Sequence, residues 1–309
     1  MTYMHFIAPQ TARALDGCAV IRYQTIEVRP EPETGIIWCA MNIGDERPIV
    51  TMKLLADLKA MIAEDLPRLC HSGSPFRFFV FRSRMPGAFS LGGDLEYFAY
   101  CMRVQDRAGI RDYAHACIDV IHPIWRAFDL PLVTVALVEG DARGGGFETV
   151  LAHDLVVAES TARFGLPEVM FSLFPGMGAS SFLSRKLTPV LAQRMILSNE
   201  VYQARDLQAM GLVDEVAGET EDGETCLRRM LREWGRKHGA LLAVNRARRL
   251  VNPVTEREMR DVVDLWVETV LSLTERDLKV MAYLVHKQHR KQELNNLAKT
   301  SAAPAIAAE

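Results

Sequence analysis

Two carboxylates and two glycine-bearing loops carry the chemistry that this sequence offers. The first loop is Phe89-Ser-Leu-Gly-Gly-Asp-Leu95 and the second is Gly144-Gly-Gly-Phe-Glu148. A third segment, Gly165-Leu-Pro-Glu-Val169, runs on into Phe174-Pro-Gly-Met-Gly-Ala179. Glycine at the entry to a helix lets a ligand approach backbone N–H groups with no Cβ in the way. The helix start adds unpaired donors and partial positive charge. An oxyanion shared by one N–H from each loop would be stabilised there, and such a donor is typically worth roughly 3–4 kcal/mol at the transition state. Glu148 and Glu168 stand beside these loops in sequence, and two carboxyl groups in different protonation states can do acid and base work in one pocket. Taken singly, each feature also fits ordinary structure: a tight strand-to-helix turn, a plain loop, a glutamate complementing a helix dipole, a solvated loop carboxylate. The combination is what points to a site.

Positioning these groups calls for strands that end where the glycines begin. Ile36–Met41, 76–81, Val133–Val138 and Leu155–Ala158 read as strands from their apolar, aromatic or β-branched runs. Pro48 opens a helical pattern through Val50, Leu54, Leu55, Leu58, Met61 and Ile62. Residues 83–93 read as a loop and 94–128 as mainly helical, with Pro123 breaking or kinking the stretch. A short helix is expected over 147–152, another after Thr188-Pro189, and another over 204–210 that stops at Gly211. Strands alternating with helices imply βαβ units and a largely parallel sheet, an α/β class. Residues 226–298 read as helices and the tail 299–309 as disordered.

These motifs resemble the enoyl-CoA hydratase/isomerase, or crotonase, superfamily over roughly residues 34–220. Ala204-Arg-Asp-Leu-Gln-Ala-Met-Gly-Leu-Val-Asp-Glu-Val216 adds to the likeness. The resemblance implies a crotonase (ClpP/crotonase-like) fold of stacked ββα units, with residues 1–225 as the core and its N-terminal extension and 226–298 as a helical region serving oligomerisation and pocket closure. It implies Gly93 and Gly145 as the oxyanion donors. Glu168 would serve the α-carbon and Glu148 the hydroxyl or water, with the reverse assignment open. Within the superfamily, residues 165–179, the Gly-Gly-Asp-Leu of the first loop and Phe147 are similar to the diffusible signal factor synthases. That likeness implies dehydration of a 3-hydroxyacyl thioester on acyl carrier protein to the cis-2-enoyl form, then hydrolysis to a free fatty acid signal. A 2-enoyl-CoA hydratase or isomerase of fatty-acid metabolism is the alternative, and a non-catalytic binding protein of the same fold a further one. Leu91-Gly92-Gly93 departs from the alanines that many hydratases carry around this glycine, which leaves the pocket shape open.

An acyl chain needs an apolar wall, for which Met170, Phe171, Leu173, Phe174, Met177 and Trp266 are the candidates, each also fit for core packing. Arg77, Arg82 and Arg84, or Arg246, Arg248 and Arg249, are candidates for an acidic carrier protein, though a solvated basic face explains either cluster. His153 reads as structural. The family further implies a trimer or dimer of trimers and a regulatory sensor protein. No cofactor is expected, since no P-loop, HExxH or CxxC set occurs. A net charge of −3 argues against a nucleic-acid partner. The scattered cysteines, and the lack of any apolar run near the roughly 20 residues that span a bilayer, lead us to expect a cytoplasmic chain with no membrane segment.

Overall fold

The computed structural model describes residues 19–41 and 47–286. The expected tail at 299–309 and the last part of the helical region lie outside them.

Two sheets form the frame. The larger has seven strands in the order β1 (Ile21–Arg22), β2 (Ile26–Glu31), β3 (Ile36–Met41), β4 (Phe78–Ser83), β6 (Val133–Val138), β8 (Leu155–Ala158), β11 (Glu215–Val216). From β3 to β11 every pairing is parallel, and β1, β2 and β3 pair antiparallel. Its interior strand β6 is Val-Thr-Val-Ala-Leu-Val, buried at every residue, as expected of a parallel strand covered on both faces. The smaller sheet runs β10 (Tyr202–Gln203), β9 (Arg163–Gly165), β7 (Gly140–Arg143), β5 (Gly87–Ser90), and β5, β7 and β9 are parallel.

The chain alternates between the two sheets. β4 leads into β5, β6 into β7, and β8 into β9; a helix or helical turn follows each pair, at Leu95–Arg103, Gly145–Leu151 and Pro167–Phe171. These are stacked ββα units. Their three short strands lie side by side, so the three loops that leave them emerge at one edge. Those loops carry Gly92 and Gly93, Gly144 and Gly145, and Glu168.

Several expectations change. The stretch 83–93 contains β5, and Gly140–Arg143 is β7; both are only four residues long and depend on partners distant in sequence. The helical pattern at Pro48 begins later, at Met52, where the Thr51 side chain accepts the Leu54 N–H at 3.1 Å. Residues 48–50 instead lie along the first glycine loop: Leu91 N donates to Pro48 O (2.6 Å) and Val50 N to Gly92 O (2.8 Å). The region 94–128 is two helices, Leu95–Arg103 and Arg107–Trp125, separated by Gln105 at φ 54°. Pro123 sits inside the second, which ends two residues later. The helix after Thr188 is capped as expected, with Leu191 N on Thr188 Oγ1, and Gly211 takes φ 76° beyond Ala204–Ala209.

Helices continue from Gly223 through residue 286. Gly223–Gly235 buries Cys226, Leu227, Met230 and Leu231 with the side chains of β4, β6 and β8, so it belongs to the core packing. Glu256–Leu271 packs on Arg107–Trp125, where Arg260 reaches Asp119 and Asp264 reaches His115. Among the described residues no helix is long and apolar enough to cross a membrane.

Candidate active site

Gly144 opens the second loop at φ 50° and ψ −127°, a conformation that glycine adopts without a Cβ penalty. Its N–H donates to Gly165 O at 2.9 Å, tying the exit of β7 to the exit of β9. A Cβ placed on Gly144 would lie 2.6 Å from Glu168 Oε1. The glycine is therefore the space in which the second carboxylate sits. Gly145 follows as the first residue of Gly145–Leu151, where the early N–H groups have no partner within the helix.

The first loop comes within contact distance. Gly92 takes φ 95°, and a Cβ on it would meet Arg143 O at 3.0 Å and Gly145 N at 3.4 Å. A Cβ on Gly145 would lie 3.8 Å from Gly93 N. The N–H of Gly92 is taken by Ser90 Oγ and its carbonyl by Val50 N. Gly93 and Gly145 thus lie beside each other on the wall of one cavity, whose volume is about 610 Å³.

Glu148 and Glu168 both face that cavity. Glu148 is 1% exposed and Glu168 9%. Glu148 Oε1 accepts the N–H of Ala179 at 2.9 Å, and the backbone N–H groups of Met177 and Gly178 also favour its anion. Burial outweighs these donors, so the Glu148 pKa is raised. Burial raises Glu168 too, and the neighbouring charge of Glu148 raises it further. Among the described residues Glu168 Oε2 has no hydrogen-bond partner. The environments differ: when the pair carries a single negative charge, Glu148 is the better place for it and Glu168 the better place for the proton.

The rest of the wall is mostly apolar. Leu95 and Phe98 come from the helix after the first loop, Val263 and Trp266 from Glu256–Leu271, and Leu284 from the helical residues 275–286. The Trp266 indole meets the Phe98 ring edge-on, centroids 5.2 Å apart. It lies so close to Gly176 that a Cβ there would be 2.5 Å from the indole. Met170, Phe171, Leu173 and Met177 line the cavity. Phe174 does not: the chain turns at Ser172, in left-handed φ, so Leu173 faces the cavity while Phe174 packs half-buried against the core from outside it.

Several wall residues give no sign of that position in the sequence. Tyr113 and Cys117 come from Arg107–Trp125 and read in sequence as plain core. Burial, and then the charge of Glu148, push the Cys117 thiol pKa upward, which disfavours its thiolate. Asp141 and Arg143 stand at the wall from β7, 3.6 Å apart. Gly-Asp-Ala-Arg alternates small and charged residues, but four residues are too few for that period to mark a strand.

His153 lies outside the cavity. It is fully buried, its Nδ1 bonded to Thr149 O and its ring stacked on Phe81. The basic clusters expected to meet a carrier protein are largely engaged within the chain. Arg82 pairs with Glu139 and Glu224, Arg84 with Glu27, and Arg248 and Arg249 with Asp154. Arg77 reaches Gly235 O.

A family model described as enoyl-CoA hydratase/isomerase matches residues 70–291. Mouse mitochondrial methylglutaconyl-CoA hydratase is 30% identical over 201 residues, covering 65% of this chain and 60% of that protein. The chain thus matches less than two thirds of that relative's length. The 2,3-dehydroadipyl-CoA hydratase of Escherichia coli K12 is 38% identical over 127 residues, 40% of this chain and 49% of the relative. Among solved structures, an enoyl-CoA hydratase from Bacillus halodurans superposes with a TM-score of 0.69 at 20% identity, over 84% of this chain and 98% of that one. That likeness is one of fold.

Proposed function

Since the chain belongs to the enoyl-CoA hydratase/isomerase family, we propose that it moves water across the 2,3 bond of an acyl thioester. The observation that carries this reading is the pair Glu148 and Glu168, both buried and both facing the cavity where Gly93 and Gly145 meet.

The thioester oxygen sits between the Gly93 and Gly145 N–H groups. In hydration, Glu148 as carboxylate takes a proton from water as the oxygen bonds to C3. Electron density moves through C2 into the carbonyl, and the donors hold the enolate oxygen. Protonated Glu168 then delivers its proton to C2. Dehydration runs the same steps backwards. The pair carries one negative charge before and after, moved from Glu148 to Glu168, and one proton transfer between them restores the starting state. Raised pKa values make such a mixed state accessible near neutral pH.

The names of the relatives favour a coenzyme A thioester. The narrower reading is release of a free cis-2-unsaturated acid from acyl carrier protein, with a sensor protein as regulator and a trimeric assembly in the cytoplasm. It rests on the resemblance of residues 165–179 to signal synthases. Hydrolysis in that reading would use the same donors for the tetrahedral oxyanion, with a glutamate activating water.

The test is to give the purified protein trans-2-enoyl-CoA, 3-hydroxyacyl-CoA and 3-hydroxyacyl carrier protein, and to identify products by mass spectrometry and chromatography. Interconversion of enoyl and 3-hydroxyacyl thioesters supports the hydratase. Free cis-2-enoic acid from the carrier-protein substrate supports the signal synthase. No turnover of any of them sinks both and favours a binding protein of this fold.

A further inference from the structure

The geometry points to Tyr113 as the positioning residue of the first donor loop, acting on the Gly93 N–H through the two residues that flank it. This rests on the reading of the cavity given above. Tyr113 stands on Arg107–Trp125 and is 2% exposed. A phenol buried that deeply needs hydrogen-bond partners. Its Oη donates to Val50 O at 2.6 Å and accepts the N–H of Asp94 at 3.4 Å.

Val50 and Gly93 face each other in an isolated parallel bridge, and Val50 N holds Gly92 O at 2.8 Å. The phenol is inserted at the other side of that bridge, linking Val50 O to Asp94 N. Gly92 is thus fixed through its carbonyl and Asp94 through its N–H, and the Gly93 N–H lies between the two fixed points. The ring contributes as well. It meets the Phe98 ring edge-on at 5.0 Å, and Phe98 occupies the space 2.9 Å from where a Cβ on Gly93 would be.

A glycine pair is otherwise free to move over a wide range of backbone angles. An oxyanion donor works when it is held at about 2.7–3.1 Å from where the charge develops. Loss of the Tyr113 hydroxyl should therefore weaken transition-state binding more than substrate binding.

The experiment compares wild type with Tyr113→Phe in the full chain. One readout is hydration of trans-2-enoyl-CoA, with kcat and KM separated. The other is the absorption of a bound aryl-enoyl thioester, which moves to longer wavelength when its carbonyl is polarised by the donors. The expected result is a kcat lower by roughly 10- to 100-fold, a KM within about two-fold of wild type, and a smaller wavelength shift. A folded variant with wild-type kcat and the full shift overturns the proposal. A variant with lower kcat that keeps the full shift also overturns it, because the hydroxyl then acts elsewhere.

If Tyr113→Phe does not fold, an amide-to-ester replacement at Asp94 decides. It deletes the Asp94 N–H while keeping both the carboxylate that caps the helix at Tyr97 N and the phenol. An unchanged kcat and shift there overturn the proposal, and a reduced shift supports it. A wild-type protein that neither turns over nor shifts the probe removes the reading of the cavity itself, and this proposal with it.

Discussion

Glu148 and Ala179 are joined across 31 residues by one hydrogen bond, the Ala179 N–H to Glu148 Oε1 at 2.9 Å. Ala179 is the first residue of Ala179–Lys186, so the carboxylate rests on the donor end of the next helix. This separates Glu148 from Glu168, which has no such cradle.

Removal of either carboxylate should stop turnover. Glu148→Ala and Glu168→Ala are each expected to lower kcat by about 10²–10⁴-fold, with an unchanged circular dichroism spectrum. A variant that still turns over at nearly the wild-type rate removes that glutamate from the mechanism.

The pH dependence follows from the raised pKa values. The proposed hydration uses ionised Glu148 and protonated Glu168, so kcat/KM should be bell-shaped, with its acid limb above the ordinary glutamate range. A pH–rate profile measured between acid and alkaline extremes checks this. An acid limb at an ordinary carboxylate pKa would contradict it.

Stability carries the opposite signature. A carboxyl whose folded pKa is raised stabilises the fold most below its unfolded pKa, and that contribution is lost as pH rises through the folded value. Glu168→Gln has no such loss. Its thermal midpoint should rise relative to wild type between mildly acid and mildly alkaline pH. A midpoint difference that does not change with pH would mean that Glu168 is not strained by burial.

Gly144→Ala tests the shape of the second loop. Its φ of 50° and the 2.6 Å approach to Glu168 Oε1 both oppose a Cβ. We expect a stability loss of about 1–3 kcal/mol and a fall in kcat as the Glu168 carboxyl is displaced. Chemical denaturation and steady-state kinetics read the two effects separately.

Trp266→Ala removes an apolar wall. For long acyl chains kcat/KM should drop about tenfold or more, and for short chains much less. Equal losses across a series of chain lengths would place the acyl chain elsewhere.

What the sequence showed and what it concealed divide along physical lines. The strands β3, β6 and β8 were legible because long apolar runs announce burial on both faces. The candidate site was legible as a set of residues because glycine–glutamate spacing survives without knowledge of contacts. β5, β7 and β9 were not: three or four residues rich in glycine and charge carry little local preference, and their pairing is decided by partners far along the chain. Tyr113 was hidden for the same reason, since its partners Val50 and Asp94 lie 63 and 19 residues away. The placement of Phe174 outside the cavity hinges on the left-handed turn at Ser172, which no periodicity predicts.

The small sheet makes the site vulnerable in a way that no list of its side chains suggests. Each of β5, β7 and β9 delivers one part of the cavity directly at its end. Lengthening any of them by a single residue would advance the following loop by about 3.3 Å and turn it to the opposite face. Every glutamate and glycine would still be present in the chain, yet the donors and carboxyls would no longer converge. Natural variants of this protein should therefore accept substitutions along these three strands far more readily than insertions or deletions, and the length of each strand is as much a part of the candidate site as the residues it delivers.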